Sequence, residues 1–206
     1  MKAITTNTKA SYSKKGSKFI GLLFPVQSAD AFDKKIAQIK NQYHDASHHC
    51  YDWRINPHQK KEFAQDDGEP GGTAGLPILN QLKSFEAVNC ACTVIRYFGG
   101  TKLGKSGLIN AYGSVAKACL QKAELKTLVA TQNFEINYPY SAQSHINQLK
   151  NNFDLKEVKA TYLQEVCIKM GCRISKASAF VKAVRQLKHL GIKIEKNDKS
   201  FVLLND

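Results

Sequence analysis

No Cys-x-x-Cys pair and no zinc-ribbon spacing occur among the six cysteines (Cys50, Cys90, Cys92, Cys119, Cys167, Cys172). That argues against a zinc ribbon or a dithiol redox centre. Cys90 and Cys92 fall on one face of a strand pattern beside valine and isoleucine, where buried free thiols are common. Disulfides are not expected, and a reducing compartment fits. The N-terminal stretch MKAITTNTKASYSKKGSKF holds no apolar core of signal-peptide type, and no run approaches the length of a membrane span. A soluble cytoplasmic protein that makes no use of a membrane is therefore expected. Internal repeats and low-complexity segments are also missing. Neither a GxxxxGK[ST] phosphate loop nor a dinucleotide GxGxxG string is present.

Acidic residues are scarce. There are 17 Asp and Glu against 30 Lys and Arg, a formal charge of +13. The excess is not confined to a tail: 17 basic residues face 10 acidic ones before Lys126, and 13 face 7 from it onward. A balance of this kind points to polyanionic partners, most often nucleic acid, although a lysine-rich solvated surface would give the same count.

What stands out is the stretch from Phe63 to Gly113, which holds two glycine-rich turns, Gly68 to Gly75 and Gly99 to Gly107. Glycines let a backbone adopt positive φ and come close to a ligand, where successive amides can cradle an anion. The second turn leaves a strand and enters a helix, the place where unpaired amides and the helix dipole favour negative charge. Arg96, Gly99, Gly100, Lys102, Gly104, Lys105, Ser106 and Gly107 are the anion-binding candidates, with Ser106 either capping the helix or donating to an oxyanion. A turn needed only for tight packing, with solvated lysines, is the structural alternative.

The first turn opens on Asp66, Asp67 and Glu69. Three accounts fit these carboxylates. They pair with Arg54, Arg96 or lysines as a structural network, they hold Mg²⁺ against a bound phosphate, or one serves as a general base. Upstream, His44, His48, His49 and Cys50 place three histidines and a cysteine within seven residues. A metal or a Cys–His nucleophile is one reading, but zinc sites draw on separated clusters, and the other histidines are His58, His145 and His189. Neighbours on a strand point to opposite faces, so His49 and Cys50 cannot act as one pair. No metal site is assigned, no cofactor is required, and Asp66, Asp67, Glu69 and His49 are carried as catalytic candidates for an enzyme whose reaction the residues do not specify.

The remaining pattern is α+β in two domains, 1–125 and 126–206. Ser11 to Lys14 and Lys18 to Val26 read as a hairpin around Lys15-Gly16. Ser28 caps a helix with a stripe at Phe32, Ile36, Ile39 and Tyr43. Residues 56 to 62 read as a polar loop, followed by a short strand into Asp66. A short helix over Leu76–Phe85, a central strand over Ala87–Phe98 and a helix over Lys105–Ala123 follow. Residues 124 to 131 read as a connector. Beyond it come strand Phe134–Tyr138, helix Ala142–Asn152, strands Leu155–Leu163 and Glu165–Arg173, a helix capped by Ser175 and ended by Gly191, and terminal strands Ile192–Ile194 and Phe201–Leu204. That order, β-α-β-β-α-β, is the split-βαβ or ferredoxin-like arrangement.

The strings His48/His49-Cys50-Tyr51, Asp66-Asp67-Gly68-Glu69-Pro70-Gly71-Gly72-Thr73-Ala74-Gly75-x-Pro77, Arg96-Tyr97-Phe98-Gly99-Gly100-x-Lys102-Leu103-Gly104 and Gly107-Leu108-Ile109-x-Ala111-Tyr112-Gly113 stand out. Together they resemble the IMPACT family, in its bacterial form. His48, Cys50, Tyr51, Thr73 and Gly75 enter the candidate surface through this resemblance. Where members often carry arginine before Ala-Tyr-Gly, this chain has Asn110, which is not carried over as a site. The resemblance implies an N-terminal domain of ribosomal-protein or RNase PH-like fold and a ferredoxin-like C-terminal domain similar to one in elongation factor G. Eukaryotic relatives act in translational control by binding the activator of a stress-responsive initiation-factor kinase. They carry an RWD domain that has no counterpart in this sequence, so that partner is not transferred. The expectation is an accessory protein of translation that binds RNA, the ribosome or translation factors. A phosphate- or nucleotide-directed enzyme and a protein–protein adaptor remain the alternatives, and oligomeric state is left open.

Overall fold

In the computed structural model, residues 1–55 and 61–203 are described, and two units emerge, Met1–Thr127 and Leu128–Asp206. Both are α+β. Most of the loop expected over 56 to 62, including His58, lies outside the described residues, as does Leu204.

The first unit is built on a five-stranded antiparallel sheet. Its strands are β2 (Thr8–Lys14), β3 (Ser17–Pro25), β4 (His48–Ile55), β5 (Lys61–Gln65) and β7 (Cys90–Tyr97), in the order β2-β3-β7-β4-β5. Lys61 and Glu62 thus belong to a strand and not to the polar loop. Lys15 and Gly16 both take positive φ, 48° and 77°, the twist a two-residue hairpin needs to close β2 onto β3. Helix α1 (Ala29–Gln42) covers one face. The Ser28 hydroxyl accepts from the Ala31 amide at 3.2 Å, and Phe32, Ile36 and Ile39 bury against Ile20, Phe24, Ala91 and Ile95. Helices α2 (Gly75–Ser84) and α3 (Gly104–Lys122) cover the other face, over Phe19, Leu23, Cys50, Cys90, Cys92 and Val94.

Central β7 is therefore packed on both sides, which explains an apolar run where a one-sided strand would alternate. At Gly21 in β3, a Cβ would come within 2.8 Å of the Cys119 sulfur, so glycine lets α3 lie close to the sheet.

The strand expected over Ala87–Phe98 is two elements in different sheets, β6 (Ala87–Val88) and β7, broken at Asn89 with its φ of 53°, and one short strand, β1 (Lys2–Ile4), carries no sequence signal. β1 pairs in parallel with β6 and antiparallel with the start of β8 (Leu125–Tyr138). Residues 125 to 131 are accordingly strand and not connector: Lys2 lies opposite Thr127, and Leu128 to Thr131 pair with residues 200 to 203.

In the second unit, β8 is followed by a 3₁₀ turn at Tyr140–Ala142, α4 (Gln143–Phe153), β9 (Lys156–Tyr162), β10 (Val166–Arg173), α5 (Ile174–Gln186) and β11 (Lys193–Leu203). The antiparallel order β11-β8-β10-β9 is fourth-first-third-second, that of a split-βαβ unit. Phe134, Ile136, Tyr138, Ile168 and Met170 meet Ile146, Leu149, Phe180 and Val184 of the two helices. Two local readings are corrected. Ser175 lies inside α5, whose N-cap is Arg173 and has no side-chain cap. The terminal strand is one element, held along its length by pairing with β8, with an irregularity between Lys196 and Lys199. Gly191, at φ 78°, closes the 3₁₀ turn Lys188–Leu190 that follows α5. None of the helices is long and apolar enough to cross a membrane, within the described residues.

Candidate functional site

The acidic turn is held by its own carboxylates. Asp66 Oδ1 accepts from the Ala74 and Gly75 amides at 2.9 Å each, and Oδ2 accepts from the Gly72 amide at 2.8 Å. Asp66 so satisfies amides at the start of α2, which lacks a side-chain cap of its own. Burial alone would raise its carboxyl, but the three amides outweigh it and hold Asp66 below the usual carboxylate range. The Thr73 hydroxyl donates to the Pro70 carbonyl at 2.7 Å, and a Cβ on Gly75 would sit 2.6 Å from the Gln65 nitrogen. Both residues therefore fix the turn and the seat of α2 on β5. Asp67 accepts from the His49 amide at 2.7 Å and pairs with Lys40 at 3.4 Å.

Glu69 alone turns inward. Its Oε1 lies 2.6 Å from Arg96 Nη1 and accepts from the Tyr112 hydroxyl at 2.7 Å, with His48 Nε2 at 3.9 Å. Of the three accounts of these carboxylates, the partners found match the network: Glu69 Oε1 takes Arg96 and Asp67 takes Lys40, while Arg54 binds Glu62 instead. A magnesium ion would have to displace these donors, and no group of three or more His, Cys, Asp or Glu is arranged to hold a metal among the described residues.

Period two decides the rest of β4. His48 and Cys50 face α2 and α3. His49 and Tyr51 face α1, where His49 Nε2 lies 3.0 Å from the Tyr43 carbonyl and the Tyr51 ring lies 4.9 Å from that of Phe32. His49 and Tyr51 are thus on the far side of the sheet from Glu69. The Cys50 thiol donates to the Asp66 carbonyl at 2.9 Å and lies 3.3 Å from the Tyr112 hydroxyl. Burial pushes this thiol well above its ordinary range, so it is no thiolate nucleophile at neutral pH.

The second glycine turn divides into two parts. The Phe98 amide donates to the Ser47 hydroxyl at 3.0 Å and the Gly99 amide to the Ser17 hydroxyl at 3.1 Å. A Cβ on Gly99 would fall 1.9 Å from the Gly16 carbonyl carbon, so Gly99 serves packing against the β2–β3 turn and its amide is not available to a ligand. Gly100 and Gly104, at φ 83° and 72°, border open space. Helix α3 starts at Gly104 without a side-chain cap, so Ser106 lies in its first turn and does not cap it. The amides of Gly104, Lys105 and Ser106, in the first turn of α3, have no intrahelical carbonyl to donate to.

The two turns meet. A cavity of about 410 Å³ is lined by Glu69 and Pro70 of the first and by Phe98, Lys102, Leu103, Gly104 and Lys105 of the second, with His48, Arg96 and Leu108 completing the wall. Arg96 offsets Glu69, and neither Lys102 nor Lys105 forms an ion pair among the described residues, so the cavity carries uncompensated positive charge. A second cavity of about 440 Å³ between α2 and α3 includes Asn110, but Lys117 is its one charged lining residue among the described residues. The converging charges single out the first. Sequence reasoning missed Ser17, Phe98 and Tyr112 as parts of the site. Tyr112 carries the helical period of a core residue, and the period gives no sign that its hydroxyl reaches Glu69.

Fold and site define a two-unit α+β protein with a cationic pocket between two glycine turns on its N-terminal unit. The family model for the Impact N-terminal domain matches residues 15–120, and the chain belongs to the IMPACT family. It is 29% identical to IMPACT family member YigZ of Escherichia coli (strain K12) over 81% of this chain and 82% of that one. It is 34% identical to IMPACT family member YvyE of Bacillus subtilis (strain 168) over 69% and 66%. A crystal structure of a hypothetical protein superposes with a TM-score of 0.68 at 24% identity, covering 96% of this chain and 97% of the other, which supports the fold.

Proposed function

We propose that this protein is an accessory factor of translation or its regulation, working in the cytoplasm and binding RNA or an RNA-containing assembly through the cationic pocket of the N-terminal unit. One observation carries the reading: Lys102, Lys105 and the open amides at the start of α3 converge on one cavity of about 410 Å³. Amide donors at a helix N-terminus, reinforced by lysines, suit phosphate oxygens. The net charge of +13 supports a polyanion as partner. The resemblance to relatives in translational control points in the same direction.

The enzyme reading draws less support. Asp66 and Asp67 are engaged with backbone amides and Lys40, His49 faces the other side of the sheet, and Glu69 is tied to Arg96 and Tyr112.

Filter binding to tRNA or ribosomal RNA across a salt series tests the proposal. The log of the affinity falls linearly with log salt, and replacing Lys102 and Lys105 by alanine together makes the slope shallower by roughly one to two. Affinity independent of salt, or a double variant with the wild-type slope, contradicts it.

A further inference from the structure

Phe98 projects from the end of β7 at the pocket with 48% of its surface exposed, while its main chain is pinned. Its own amide and that of Gly99 are anchored to Ser47 and Ser17. The Arg96 guanidinium carbon lies 5.4 Å from the Phe98 ring centroid and 5.4 Å from that of Phe19. Arg96 is thus held between two rings and leaves the rest of the Phe98 ring to solvent. Arg96 itself is only 5% exposed, yet its Nε has no hydrogen-bond partner among the described residues. That is an orphaned donor in the wall of the same cavity.

His48 also lines the pocket: its Nδ1 lies 2.8 Å from the Asp67 carbonyl, which can only accept, so Nδ1 carries a proton, and its Nε2 lies 3.9 Å from Glu69. The cavity, about 410 Å³, is within the usual range for small-molecule sites, roughly 300–1,000 Å³.

An anion site alone explains the lysines and the amides but not the exposed ring. We infer that the pocket takes a nucleotide unit, with its base stacked on the open part of Phe98 and its phosphate at Lys102, Lys105 and the first turn of α3. This rests on the phosphate-binding reading above and adds the base to it. The unit is either a free mononucleotide or one residue of a single strand. Stacking on an aromatic side chain is tolerant of base identity, because every base has a π-face.

Calorimetric titration of the full chain with AMP, UMP, ribose 5-phosphate, inorganic phosphate and a single-stranded RNA hexamer tests the inference. A base bound on Phe98 makes AMP bind about five- to hundredfold more tightly than ribose 5-phosphate. Phe98→Ala abolishes that ratio while leaving inorganic phosphate unchanged, and Phe98→Tyr keeps it. Phe98→Leu, which preserves apolar cover over Arg96, also abolishes the ratio and stands in if the alanine variant does not fold. A preference for nucleotide over sugar phosphate that appears with AMP identifies a free nucleotide as the source. Binding confined to the hexamer and lost in Phe98→Leu identifies a strand. Both support the inference. Equal affinity for AMP and ribose 5-phosphate, with phosphate binding intact and the hexamer insensitive to Phe98, overturns the base site and leaves the phosphate reading standing. No binding of any phosphate compound overturns both.

Discussion

Arg96 and Glu69 meet at 2.6 Å with 5% and 8% of their surfaces exposed, one from the central strand and the other from the acidic turn. This pair ties the turn to the sheet and forms one wall of the pocket. Breaking a buried pair by removing one partner leaves a desolvated charge, at a cost of about 3–5 kcal/mol. Arg96→Met is expected to lower unfolding stability by that order. Adding Glu69→Gln recovers part of the loss, because Tyr112 can still donate to the amide oxygen. Urea unfolding of the two single variants and the double variant gives the coupling directly. Strictly additive losses contradict the pairing.

Asp66 acts through three amides of the turn and of α2. Asp66→Asn leaves one acceptor oxygen where there were two and costs about 2–3 kcal/mol. The pH dependence has a definite sign. A folded-state pKa held below the unfolded one gives stability that is present above the unfolded value, about 3.9, and lost as pH falls through the folded value. Acid titration of stability is therefore expected to show a loss beginning below about pH 4 that is smaller in Asp66→Asn. Identical acid profiles contradict the assignment.

Asp52 behaves in the opposite sense. It is fully buried, its Oδ1 accepts from the Cys92 amide at 3.2 Å, and its Oδ2 has no hydrogen-bond partner among the described residues. Burial raises this carboxyl well above its ordinary range, so the folded chain keeps it protonated where the unfolded chain ionises. Its contribution is full below about pH 4 and is lost as pH rises toward the folded value. Asp52→Asn, which cannot ionise, is expected to gain stability relative to the wild type between about pH 4 and 7, and denaturant midpoints at several pH values measure the trend. A constant difference across that range refutes it.

Two adjacent glycines separate packing from conformation. Gly99→Ala drives a methyl into the backbone of Gly16 and is expected to cost about 3 kcal/mol or more, or to prevent folding. Gly100→Ala meets open space and bears only its φ of 83°, at about 1–2 kcal/mol. Thermal unfolding of the pair distinguishes them, and equal losses contradict the close approach of the two turns.

Much of this was legible in the residues themselves. The stripe Phe32-Ile36-Ile39 and the Lys15-Gly16 turn are local signals, and their elements form where the pattern puts them. Opposite orientations for His49 and Cys50 follow from strand geometry alone. β1 was not legible, because three residues carry no period and are held by partners more than 80 positions away. The strand from Leu125 read as a connector for a similar reason: its partners come from the two ends of the chain. The carboxylates could not be told apart in sequence. Asp66 finds amides, Asp67 a strand and Glu69 a buried arginine only after the turn has folded against β4 and β7. Gly99 reads like the glycines of an anion cradle because positive φ and close packing leave the same mark in a sequence.

The central claim is that phosphate binds between the two glycine turns, and amide chemical-shift mapping with inorganic phosphate tests it most directly. Shifts concentrated on Phe98 to Leu108 and His48, saturable and lost in the Lys102→Ala, Lys105→Ala double variant, are the expected result. Shifts scattered over the lysine-rich surface, or confined to residues outside the pocket, would contradict the account.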